Sequence, residues 1–203
     1  FKVMRPGCEQ AFVDMQCLSL AHLHQQSESS QVPVPQVIAT LEGHNFTVYQ
    51  DPQGESRMVW LLSKFEGLSY AHFQPKPGAL MHQLGGYMGL MSSQLESFHH
   101  AYLKRDFKWN LLQAGWINNE LECIEDPARK SIVAAIVEQF KGLETALNSL
   151  PKQCIHNDVN DYNILVQGSL HKAPHISGII DFGDMCWAPR VCDLAIAGAY
   201  IVL

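Results

Sequence analysis

The stretch Cys154–Asp184, CIHNDVNDYNILVQGSLHKAPHISGIIDFGD, decides how this chain is read. It holds two polar clusters, His156-Asn157-Asp158-Val159-Asn160-Asp161-Tyr162-Asn163 and Asp181-Phe182-Gly183-Asp184. Short apolar, β-branched runs flank them: Cys154-Ile155 before the first, Ile164-Leu165-Val166 after it, and Ile176 to Ile180 before the second. Such runs bounded by polar loops predict short buried strands. The segment therefore reads as strand, polar loop, strand, turn, strand, polar loop. That order brings Asp158, Asn163 and Asp181 to one edge, although 23 positions separate Asp158 from Asp181.

Those residue types suit phosphoryl transfer from a nucleotide. The reaction needs Mg²⁺ bridging the phosphates and a carboxylate placed to accept the proton of the attacking hydroxyl. Mg²⁺ takes one or two protein oxygens and completes its octahedron with water and phosphate. Asn163 and Asp181 are the candidate metal ligands. Asp158, five positions before Asn163, is the candidate base, at the spacing of a catalytic loop whose Asp is base and whose Asn binds metal. Gly183 allows tight backbone after Asp181. The His-x-Asp-x-x-x-x-Asn pattern alone arises by chance in roughly a few per cent of chains of this length. With Asp-Phe-Gly downstream of an apolar run, chance falls below ~1%. The competing reading is a pair of turns closed by Asx-type hydrogen bonds.

His-Asn-Asp-Val-Asn-Asp-Tyr-Asn and Ile-Ile-Asp-Phe-Gly-Asp resemble the aminoglycoside phosphotransferase family of small-molecule kinases. The resemblance covers nearly the whole chain and is sharpest over Cys154 to Trp187. Family members usually carry Gly where this chain has Asn157. The resemblance implies an α+β, two-lobed protein-kinase-like fold with a truncated N-terminal lobe. Residues 1–66 would form that partial nucleotide-binding lobe. Residues 67–203 would form the catalytic lobe, its last helices lying beyond Leu203. It also implies Mg²⁺, ATP or GTP as phosphate donor, and a small amine-bearing acceptor, 5-hydroxylysine first among them. Lys2 would contact the nucleotide phosphates and pair with an acid on the following helix, Asp14 or its rival Glu9. Ser63 and Phe65 would supply hinge contacts to the purine. Asp184 and Trp187 would line the acceptor pocket. Two further readings remain: a kinase-like module fused to a PLP-dependent enzyme, and a catalytically silent nucleotide-binding domain.

The chain of 203 residues is long enough for one large domain or two small lobes, and its 47% apolar content fits a substantial core. The net charge of −6, without a basic stripe, argues against nucleic acid or an anionic membrane as partner. No apolar run reaches the length of a membrane span, and no signal peptide is recognisable. Six scattered cysteines with no Cys-x-x-Cys pair point to free thiols in a reducing compartment, hence the cytoplasm. His22/His24 and His99/His100 read as helix-surface residues rather than zinc ligands. The sequence leaves the oligomeric state open.

Elsewhere, Phe1-Lys2-Val3 reads as a strand and Glu9 to His24 as a helix. Gln25 to Ser30 is a polar linker, and Val32-Pro33-Val34-Pro35 must be extended. Phe46–Tyr49 and Arg57–Leu62 are strands joined by the turn Asp51-Pro52-Gln53-Gly54. Leu80 to Leu103 has helical spacing, with Gly85, Gly86 and Gly89 requiring close packing as compensation. Arg105-Asp106-Phe107-Lys108-Trp109-Asn110 resembles a family stretch in which Trp109 anchors the core. Asp126-Pro127 opens a helix that buries Ile132, Ile136, Phe140, Leu143 and Leu147. Met185 to Trp187 is a loop, and Cys192 to Leu203 a buried helix in which Asp193 either caps or braces the catalytic loop.

Overall fold

Strand β4 (Ser56–Leu62) organises the first part of the chain. The computed structural model describes residues 1–26, 32–169 and 172–201. β4 pairs antiparallel with β1 (Lys2–Val3), β2 (Val37–Ile38) and β3 (Thr47–Gln50), and Val59 faces both Val3 and Thr47, so β1 and β3 flank it on opposite edges. The β3–β4 turn is closed by Asp51, which accepts from the Gln53 and Glu55 amides and from Arg57 Nε. Helix α1 (Gln10–Gln25) lies beside this sheet and buries Val13, Met15, Cys17, Leu20 and Leu23. Of the linker expected at Gln25–Ser30, residues 27–30 lie outside the described residues.

Gly67 marks the passage to the rest of the chain. Its φ is +136°, and a Cβ there would lie 2.5 Å from the Val166 carbonyl oxygen, so only glycine fits. Beyond it β5 (Leu68–Ser69), β7 (Ile164–Ser169) and β8 (Lys172–Ile179) form an antiparallel sheet. The turn expected between β7 and β8 falls at 170–171, outside the described residues. A two-stranded sheet joins β6 (Lys152–Ile155) to β9 (Cys186–Pro189). Around them stand α2 (Gly78–Leu95), α3 (Pro127–Ser149) and α4 (Val191–Ile201). One core runs from α1 through α2 to β7 and β8. This is the α+β kinase-like architecture expected from the sequence.

Several expectations need correction. Helix α2 ends at Leu95, and Leu103 belongs to a 3-10 turn, Ala101–Lys104, capped by the His100 side chain. The expected close packing of Gly85, Gly86 and Gly89 is absent: a Cβ at any of them meets open space. Residues Leu111–Cys123 form a long 3-10 segment that periodicity did not reveal. α3 starts at its Asp126 cap as expected, but Ile132, Ile136 and Leu143 remain 60%, 59% and 55% exposed, and only Val137 is buried. Its apolar stripe meets little besides that 3-10 segment. Trp109 is no core anchor: it is 62% exposed and stands edge-on to Trp116. Cys186–Pro189 is a strand, not a loop, because β6 supplies ladder partners from a distant part of the chain. α4 buries only Cys192, Asp193 and Ala197, and positions 202–203 of the expected helix lie outside the described residues. Among the described residues, no helix is long and apolar enough to cross a membrane.

Candidate active site

The β7–β8 hairpin sets the site. Its register pairs Ile164 with Ile179, and the Ile180 amide donates to the Asn163 carbonyl at 2.9 Å. The residues just outside the ladder, Asn163 and Asp181, are thereby brought side by side. Asn163 Nδ2 donates to both Asp158 Oδ2 (2.8 Å) and the Asp158 carbonyl (2.9 Å). Among the described residues its amide oxygen makes no hydrogen bond. Asn160 holds the same loop from inside: its Nδ2 donates to Asp158 Oδ1 at 2.8 Å and its Oδ1 accepts from the Tyr162 and Asn163 amides. The sequence suggested Asp161 for this Asx-type brace; the geometry gives it to Asn160. Asp158 is half-buried, and burial raises its carboxyl above the ordinary value, with the Asp181 charge adding to this and the two amide bonds opposing it.

Asp181 adopts φ +66°, ψ +74°, a left-handed conformation uncommon for a residue with a side chain. Its Oδ1 takes the Lys2 ammonium at 2.8 Å. Although burial opposes it, the Lys2 hydrogen bond and charge hold this carboxyl below its ordinary value. Lys2 therefore reaches the site, but its expected pairing with Asp14 does not form. Phe12 and Gln16 are the α1 residues that face Gly183. Asp14 lies two positions from each, about 200° round the helix. It accepts instead from Gln10 and lies beside His44 to Val48. The rival Glu9 takes the Tyr102 hydroxyl.

A cleft of about 300 Å³ opens above the hairpin, walled by Pro35, Leu62, Leu165 and Ile180 and ending at Lys2 and Asp181. Ser63 and Phe65 line it as well. The Ser63 amide already donates to the Gln36 carbonyl, so the Ser63 backbone is left with its carbonyl as acceptor for a hinge hydrogen bond. Phe65 lies against Gly178, where a Cβ would come within 2.6 Å of its ring. Such apolar walls with a charged end suit a flat heterocycle carrying phosphates. The metal expectation fits the donors present: among the described residues Asp181 Oδ2 and Asn163 Oδ1 make no hydrogen bond or ion pair, and two oxygens suffice for Mg²⁺. Among the described residues, no three His, Cys, Asp or Glu side chains form a metal site by themselves.

Behind the loop, His156 is buried, sends Nε2 to the Ile180 carbonyl, accepts the Asp158 amide on Nδ1 and packs edge-on against Phe182. Burial holds its pKa down to about 4, so the ring is neutral at pH 7. Asp193 settles its two alternatives by bracing: its carboxylate accepts the His156 amide at 3.0 Å and the Asn157 amide at 2.6 Å. Burial pushes it up to about 6 despite those bonds. Arg105, which the sequence marked only as part of a polar cluster, donates to the Met185 and Gly183 carbonyls at 2.7 and 3.2 Å and fixes the segment after Asp181. Asp184 lines the cavity beside that segment. Trp187 does not join it: it lies on β9 against His99 and the Lys104 ammonium.

Asn157, where the resemblance led to an expectation of Gly, has φ +67°, in the region glycine adopts freely. Asn tolerates the left-handed region better than other side chains. Its Nδ2 also ties the loop to the Trp109 carbonyl, while its Oδ1 is buried without a partner. Asn157→Gly gives up one hydrogen bond and relieves one unsatisfied acceptor, so thermal denaturation should register a change within about 1 kcal/mol. Asn157→Ala should be less stable than the Gly variant by about 1–2 kcal/mol, the strain of a Cβ at this φ. Equal stability of the two would remove the backbone explanation.

The fold is the kinase-like one. Two solved structures share it: a microcompartment-associated aminopropanol kinase (TM-score 0.64, 20% identity, 98% of this chain and 62% of that one), and an amicoumacin kinase in complex with AMP-PNP, Ca²⁺ and Ami (TM-score 0.64, 16% identity, 96% and 54%). The chain belongs to the phosphotransferase enzyme family, whose model matches residues 15–202. Among curated proteins it is similar to the hydroxylysine kinase of Bos taurus, 29% identical over 158 residues that make up 73% of this chain and 42% of that protein. The matched part of the chain thus spans less than half the length of that relative.

Proposed function

We propose that this chain carries the catalytic loop of a small-molecule kinase that transfers the γ-phosphate of ATP or GTP to a hydroxyl of an amine-bearing metabolite, 5-hydroxylysine first. The observation that carries this reading is the Asp158–Asn163 hydrogen bond at 2.8 Å, set beside Asp181 by the β7–β8 register. In the reaction the acceptor hydroxyl loses its proton to Asp158, its oxygen bonds the γ-phosphorus, and the bond to the bridging β–γ oxygen breaks to leave the nucleoside diphosphate. Asn163 and Asp181 would hold Mg²⁺, which supplies neutralisation of the phosphate charge. Lys2 orients Asp181, and the cleft above β7 and β8 takes the purine. Similarity to a hydroxylysine kinase supports the acceptor, and the AMP-PNP and Ca²⁺ of the amicoumacin kinase complex support a nucleotide with a divalent ion. All six cysteines are free thiols, four of them buried, which suits a cytoplasmic protein.

The test is a titration of Asp181→Asn with nucleotide, with and without Mg²⁺. Affinity for the Mg-nucleotide should fall by about 10–100-fold, the worth of a charged contact, with a smaller change for nucleotide alone. Unchanged Mg-nucleotide affinity would refute the metal assignment.

A further inference from the structure

A second cavity, about 510 Å³, lies between the start of α1 and the turn that follows Asp181. Gly183 links it to the active site, since this residue lines the cavity and stands against Asp181 Oδ1. Its walls carry charges of both signs: Arg5 and Arg105, and Glu9, Asp106 and Asp184. Most of these are already engaged. Arg105 is spent on the Met185, Gly183 and Tyr102 carbonyls. Glu9 takes the Tyr102 hydroxyl. Asp106 lies within reach of the Gln113 amide. Arg5 and Asp184 remain: among the described residues neither side chain makes a hydrogen bond or an ion pair. The cavity beside the reacting carboxylates therefore presents a guanidinium and a carboxylate that make no hydrogen bond among the described residues, with Arg105 close enough for its charge to act on Asp184, and this pair of opposite signs can complement a zwitterion.

We propose that Arg5 is a specificity-determining residue that reads the carboxylate of an α-amino-acid acceptor held between Arg5 and Asp184. This rests on the kinase reading above and narrows it. An amino alcohol without a carboxylate leaves Arg5 unmatched, and a purely cationic acceptor is repelled by it. A guanidinium binds a carboxylate through two parallel hydrogen bonds, which a lysine cannot reproduce.

The experiment compares two acceptors in the intact protein: 5-hydroxylysine and its decarboxylated counterpart, 1,5-diaminopentan-2-ol. The wild-type protein should favour 5-hydroxylysine in kcat/KM by about 10–100-fold, the effect of one charge-assisted contact. Arg5→Gln should bring that ratio near one, and Arg5→Lys should leave an intermediate ratio. A wild-type ratio near one, or a ratio unmoved in Arg5→Gln, overturns the proposal while leaving the kinase reading intact. Calorimetric binding of the same two compounds separates the readings further. Should neither compound be phosphorylated, the kinase reading with this acceptor falls; tighter binding of 5-hydroxylysine that Arg5→Gln abolishes would still establish Arg5 as the carboxylate contact, and no binding would overturn it.

Discussion

Asp158→Asn is expected to bind Mg-nucleotide within about twofold of wild type and to lose about 10²–10⁴ in kcat, the usual contribution of a positioned general base. The substitution keeps the shape of the side chain and removes its charge. Two amides, from Asn160 and Asn163, each donate to this carboxylate at 2.8 Å, so it is held in place before any acceptor arrives. The same environment raises its pKa, chiefly through burial, so the acid limb of the kcat/KM profile should fall above the pH of an ordinary aspartate. A loss confined to KM with kcat preserved would mean that Asp158 contributes only uniform binding. Asp161→Asn is the control. Asp161 accepts the Ala71 amide on its backbone carbonyl and, among the described residues, its side chain makes no hydrogen bond or ion pair, so that variant should turn over normally. The reverse outcome, with Asp161→Asn inactive and Asp158→Asn normal, would show the catalytic loop to be wrongly assigned.

Asp193→Ala should cost about 3–5 kcal/mol in urea denaturation, because it strands the buried His156 and Asn157 amides that the carboxylate accepts. Asp193→Asn, which keeps one acceptor oxygen, should fall between this variant and wild type. The pH dependence separates this brace from simple packing. Asp193 rises from 3.8 to about 6 on folding. Its contribution is thus fully present below pH 3.8 and lost as the pH climbs through about 6. His156 falls from 6.5 to about 4, so its contribution is present above 6.5 and lost as the pH falls through about 4. Each shift corresponds to about 3 kcal/mol, and between about pH 4 and 6 the two slopes nearly cancel. Removing Asp193 leaves the His156 slope alone. The stability of Asp193→Ala should then rise by up to about 3 kcal/mol from pH 4 to 6.5, against a flatter wild-type curve. Parallel curves for variant and wild type would show that the pair does not set this pH dependence.

The site was legible wherever its chemistry is local. Asp158, Asn160 and Asn163 bond within five positions of one another, and Asn and Asp in such a loop have few other ways to satisfy their own backbone. The flanking apolar runs specified β7 and β8, and pairing those strands brought Asp181 to Asn163 without further information. The Asp126 cap and the Asp51 turn were readable for the same reason: donor and acceptor sit a few residues apart.

What only the tertiary structure decided are partnerships between distant elements. Lys2 pairs with Asp181 rather than Asp14 because packing presents the Phe12 and Gln16 face of α1 to the Asp181–Asp184 turn, and Asp14 is carried to the other side. Trp187 is drawn from a supposed loop into β9, and so away from Asp184, by ladder bonds to a strand more than thirty positions earlier. Asp193 looks like a helix-capping acid in sequence; burial against the His156 and Asn157 amides makes it the support of the catalytic loop. The stripe on α3 has helical period, yet Ile132, Ile136 and Leu143 remain exposed. Periodicity determines which residues share a helix face, whereas burial of that face depends on what stands opposite it in space.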